Sequence, residues 1–160
     1  MTGLVLMTIT RIEAAHLADL VSQFATVLSE PDQDPAIERL SPSVYPDDAA
    51  ASAEFRDLTR SALLERRRMD SAVVLAALND AGLTTDTADV AHASALEEVV
   101  LTLSASDAES WLRTLSAIRL VLATRLGITT EDDLDSEDPR FGIYEWVGYR
   151  LDGLVNAINA

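Results

Sequence analysis

The residues of this chain whose type and spacing could do chemistry are arginines. Arg56, Arg60, Arg66 and Arg67 fall in one stretch, and Arg119 and Arg125 in another. On a helix of about 3.6 residues per turn, Arg56, Arg60 and Arg67 share a stripe with Arg66 roughly a hundred degrees round from it, so the group could grip one anionic object. The ordinary use of the same guanidinium groups is pairing with Asp and Glu elsewhere, which requires no special function. Arg119 and Arg125 have no acid three or four residues away on either side and lie in the most apolar stretch, so each is expected to meet a carboxylate from another element. The sharper alternative is an anion pocket lined by Arg119, Arg125, Arg56 and Arg60.

Other polar groups offer less. His16 lies beside an apolar stripe and reads as a boundary histidine. His92, in a small polar stretch, reads as a surface residue, and neither has ligand-spaced partners. The acidic pairs Asp47/Asp48, Glu97/Glu98 and Asp132/Asp133 stand where caps and loops need charge. Residues 131–139, EDDLDSEDP, carry six carboxylates, but Asp138 stands where a calcium loop counted from Asp133 turns on glycine, so the segment reads as a solvated acidic linker. The chain holds no glycine-rich phosphate loop, zinc-protease helix or serine elbow. These readings assign no catalytic residue, no metal ligand and no cofactor.

The elements that must position the arginines follow from periodicity. Ser106 to Gly127 places Trp111, Leu112, Leu115, Ile118, Leu122 and Leu126 at helical spacing, with Leu120, Val121 and Ala123 extending the apolar surface, so this helix is expected to be the central strut. Ser104 with Asp107, or Ser106 itself, signals its start, and Gly127 its stop. Gly3 to Ile9 and Glu97 to Ser104 read as two short strands. Thr10 and Glu13 form a capping box for a helix with the stripe Leu17, Leu20, Val21, Phe24, Val27 and Leu28. After a proline-rich loop, Asp47 or Asp48 opens the arginine helix, which runs to about Arg68, and Asp70 restarts or kinks the chain into a further helix ended by Gly82. The last helix, about Phe141 to Ile158, leaves Trp146 and Tyr149 off its apolar seam as a candidate partner surface. A shift that lays Met7 over Leu101 also lays the first strand and helix over the second pair, which suggests two strand-then-helix units whose strands meet in a small sheet.

At 160 residues, 48% of them apolar, the chain suits one compact domain. It has no cysteine, which excludes disulfides, thiolate metal sites and thiol nucleophiles within it. No stretch approaches the roughly 20 apolar residues that a bilayer span requires, and the N-terminus lacks a basic leader pattern, so a cytoplasmic protein is expected. The net charge is −15, and all 12 basic residues are arginine. Such charge repels nucleic acid and acidic membranes and favours basic protein partners. DNA contact through the arginine helix would have to overcome it.

Three motifs carry a resemblance. They are Tyr45-Pro46-Asp47 followed by Glu54-Phe55-Arg56-x-Leu58-Thr59, the stretch Trp111-Leu112-x-x-Leu115-x-x-x-Arg119-Leu120-Val121-Leu122-x-x-Arg125-Leu126-Gly127-Ile128, and Tyr144-x-Trp146. In this combination and order the chain resembles an actinobacterial family, long described as a domain of unknown function and identified as AosR-type oxidative-stress transcriptional regulators. The resemblance implies regulation by protein contact with an alternative sigma factor or other transcription component, and the family's gene neighbourhood, near the ClpS adaptor, implies an accessory role in protein turnover as the alternative. Ser116 departs from the family's asparagine, and the missing cysteine leaves a redox switch without a carrier.

The expectation is thus a mainly α single domain over residues 1–160, a bundle of about five helices with a minor two-stranded sheet. Its leading role is that of a non-enzymatic cytoplasmic regulator that binds a protein, with a small-anion-binding module as a further alternative. A homodimer stays open.

Overall fold

The computed structural model describes residues 3–29, 35–38, 40, 49–83, 90–130 and 137–160, with backbone alone at 35, 38, 49–58 and 140. Strand β1, Val5–Thr10, runs directly into helix α1, Arg11–Ser29. The one-turn helix α2, Pro35–Glu38, precedes the long α3, Ala49–Asp80. A 3-10 turn, His92–Ser94, leads to strand β2, Glu98–Leu103, then to α4, Ala105–Leu126, and α5, Arg140–Ile158.

Alternation in the two strands sorts their side chains between an inner and an outer face. Val5, Met7 and Ile9 of β1, with Leu101 and Leu103 of β2, are buried, whereas Leu4, Leu6 and Val100 are exposed. The strands pair antiparallel from Val5 against Leu103 to Thr10 against Glu98. Met7 lies opposite Leu101, the single match of the ninety-four-residue shift that is also a ladder pair, because the antiparallel register sets Val5 against Leu103 and Ile9 against Val99.

Helix α4 is the strut of the bundle. It packs on α3 and α5, and also meets α1 and α2. Its Trp111, Leu115 and Ile118 are at most 2% exposed, which explains why a helix with three arginines and several small polar residues stays in place: burial of large apolar groups outweighs them. Ser104 caps it by accepting the Asp107 amide at 3.1 Å. Gly127, with φ 71°, closes it in the left-handed conformation that glycine adopts without strain.

Four principal helices stand among the described residues, one fewer than expected. The difference lies at Asp70, where the expected break is absent and α3 continues to Asp80. Asp70 is not a cap. Its carboxylate, 6% exposed as a residue, faces α4 and receives the guanidinium of Arg113 there. A helical residue whose side chain is bonded across the bundle has no competing bond to its own backbone, so the helix passes through it. The acidic linker and most of the proline-rich loop, with Tyr45, Asp47 and Asp48, lie largely or wholly outside the described residues.

Candidate functional site

The Thr10/Glu13 capping box forms as expected, with the Glu13 amide donating to Thr10 Oγ1 at 3.3 Å and Glu13 Oε1 accepting the Thr10 hydroxyl at 2.9 Å. The other carboxylate oxygen serves α5. It accepts Trp146 Nε1 at 2.8 Å and Arg150 Nε at 3.1 Å, and it also forms a short ion pair with Arg150 Nη2. Burial alone would raise the carboxyl pKa, but hydrogen bonds from Arg150, Trp146 and Thr10 outweigh it and bring Glu13 down to about 2.

This hub also closes part of an open strand. Arg11 donates its amide to Glu97 carbonyl, so odd-numbered β1 residues bond towards β2 and even-numbered ones point their backbone outward. Arg150 Nη1 donates to the Thr8 carbonyl at 2.8 Å, and the Thr10 amide donates to Glu13 at 3.4 Å. The ion pair thus occupies the acceptor and donor that a neighbouring strand would use. Nothing in Trp146 or Arg150 singly signalled this; the signal was their spacing of four, which puts two donors on one face of α5. Trp146 is therefore half-buried with its N–H engaged, while Tyr149 is 69% exposed.

A second polar joint ties α3 to α4. Arg113 grips Asp70 in a bidentate pair at 2.9 Å for both bonds, while its sequence neighbour Glu109 stands at 3.9 Å. Burial pushes the Asp70 carboxyl up, and the bonds from Arg113 and Ser110 more than reverse it. Asp70 in turn raises the Arg113 pKa. Arg67 lies close by, its guanidinium lowered by burial and partly restored by Asp70. Arg68 donates to the Leu28 carbonyl at 3.1 Å, satisfying the C-terminal end of α1, and pairs with Glu65.

The arginines weighed as alternative walls of an anion pocket differ in their surroundings. Arg66 and Arg125 are exposed, Arg60 is partly exposed, and the side chain of Arg56 lies outside the described residues. Arg119 is the one of the six that enters a concavity described here, and it enters alone. It does not find the carboxylate expected of it. Its guanidinium carbon lies 4.4 Å from the centre of the Tyr144 ring, and its Nε is buried with no hydrogen-bond partner. A Cβ on Gly148 would stand 3.2 Å from that Nε, so the glycine makes room for the flat cation on α5. Stacking on an aromatic face replaces the missing charge partner.

Around Arg119 the seam between α4 and α5 opens into a groove of about 620 Å³, with Leu112 and Ser116 on one wall and Glu145, Tyr149 and Asp152 on the other. A smaller hollow, about 440 Å³, lies on the α1 side of α5, where His16 and Asp19 flank Leu20, Ile143 and Trp146. His16 is exposed at its rim, and His92 is exposed in the 3-10 turn. No group of three or more metal-ligating side chains occurs among the described residues. No described helix is long and apolar enough to cross a membrane.

Neither the curated proteins nor the solved structures contain a match to this chain. The family model described as Domain of unknown function (DUF2017) matches residues 1–158, nearly the whole length, and the chain belongs to that family.

Proposed function

We propose that this protein is a non-enzymatic regulator that works by binding another protein, a transcription component such as an alternative sigma factor, in the manner of the AosR-type regulators it resembles. The observation that carries the binding role is the outer face of the sheet. Leu4, Leu6 and Val100 are 69%, 60% and 57% exposed on that one face, and Leu6 shares a hollow with the exposed Tyr149. Three large apolar side chains left exposed on one sheet face of a chain of net charge −15 are costly to leave in water and favour that face as a place of contact. The acidic surroundings suit a basic partner and would speed its approach.

The carboxylates support binding over catalysis. Both strongly engaged ones, Glu13 and Asp70, are shifted downward, away from the range in which a carboxyl exchanges protons at neutral pH. With no cysteine, a thiol-based response to oxidants has to reach this protein through its partner.

The test is tagged capture from a related actinobacterium, comparing the natural chain with Leu6→Glu/Val100→Glu. Recovery of a sigma factor or polymerase subunit that is lost in the variant is expected. Recovery of ClpS or a Clp protease alone would replace this reading with the turnover role, and recovery of neither class would remove the regulatory one.

A further inference from the structure

The α4–α5 groove has a charge order of its own. Glu145 and Asp152 stand two turns apart on α5 and are both exposed. Gly148, against which Arg119 lies, falls between them. Along roughly 10 Å of helix the groove therefore reads negative, positive, negative. Neither acid forms an ion pair with Arg119, and Arg119 has no anionic partner among the described residues. The arginines at 11, 68, 113 and 150 each hold a carboxylate. A guanidinium that lines a groove without an anion beside it is one whose charge an arriving carboxylate would neutralise.

Resting on the reading that this protein acts by protein contact, we propose that the groove receives a helix of a partner protein, presenting one carboxylate to Arg119 between two basic residues that face Glu145 and Asp152. On that helix the pattern is base, acid, base, with the bases seven apart and the acid three or four from each. Leu112, Tyr149 and Val155 supply the apolar contact beside the charges. The two acids that attract the bases also repel a free anion, so an isolated phosphate or carboxylate is the poorer occupant. A second copy of this chain does not fit. Only Arg60 and Arg67 stand seven apart in the whole sequence, and the residues between them at the required positions are Leu63 and Leu64.

The test uses the full chain labelled with nitrogen-15 at glycine, where Gly148 reports on the groove and Gly3 and Gly82 serve as controls. Two helical peptides of about 18 residues, roughly five turns, are titrated. One carries lysine, glutamate and lysine in the stated spacing, and the other has the signs reversed; both have leucines alongside and equal net charge. The matched peptide is expected to bind about tenfold tighter or better, since like charges oppose the reversed one, and to move the Gly148 amide while Gly3 and Gly82 stay. Arg119→Gln should narrow the difference, since Glu145 and Asp152 still attract the two lysines, and Glu145→Lys/Asp152→Lys, at two exposed positions, should invert it. Equal affinities, shifts that miss Gly148, or an unchanged preference in both variants would overturn the proposal. So would inorganic phosphate moving Gly148 as effectively as the matched peptide, which would make the groove a small-anion site. If the peptides fail while the full chain still captures a transcription component, only the groove assignment falls. If the peptides succeed and no such component is captured, only the regulatory reading does.

Discussion

Glu13 shows how one side chain can serve three elements. It caps α1, holds the Trp146 and Arg150 donors of α5, and takes the outward amide of β1. Its pKa falls from 4.5 to about 2 on folding. A depressed carboxyl adds stability that is complete above its unfolded value and is lost as pH falls from about 4.5 through about 2. The full contribution is on the order of 3 kcal/mol. In Glu13→Gln that part of the acid sensitivity should disappear, leaving a protein less stable at pH 7 but with a flatter dependence below pH 4.5. Urea unfolding at a series of pH values measures it, and parallel pH profiles for the two proteins would contradict the assignment.

Helix α3 raises the corresponding question for an element. Its 32 residues span roughly 48 Å, and nothing in their local pattern requires that they form one helix rather than two. Continuity comes from Arg113, which takes Asp70 out of local competition. Met69 is 62% exposed, so its side chain contributes little packing. Met69→Pro should nevertheless cost about 3 kcal/mol or more, because the ring removes a helical hydrogen bond and strikes the preceding turn. A kinked or broken α3 would tolerate it. Asp70→Asn tests the joint itself, and should cost on the order of 1–3 kcal/mol by leaving half of a bidentate charged bond unmade. Thermal and urea denaturation read both.

Across the whole molecule, 27 acids against 12 arginines oppose compaction. Most acids whose side chains are described are exposed, and at a surface salt shortens the reach of charge from about 30 Å at 0.01 M to about 8 Å at 0.15 M. The melting temperature should therefore rise over that range, and a fall would mean that favourable ion pairs outweigh the net repulsion. The same field makes association with a basic partner faster at low salt. It acts against pairing of two copies, each of which brings −15 to the contact.

What the sequence determined by itself was local. The helical class, the Thr10/Glu13 box, the Ser104 start and the Gly127 stop all depend on neighbours within a turn, where side-chain type and backbone geometry are tightly linked. The central place of α4 was also legible, because Trp111, Leu115 and Ile118 leave too much apolar surface for a peripheral helix. Contacts across the chain were decided only by the tertiary structure. Asp70 looked like a helix start until Arg113, 43 residues away, claimed it. Arg119 was expected to need a carboxylate, and instead found Tyr144 and the space left by Gly148. The arginine stripe and Arg119 lie on helices whose rotation is set by packing, and no spacing within either helix states which way the other will turn. That orientation left one cation, rather than a cluster, at the floor of the groove.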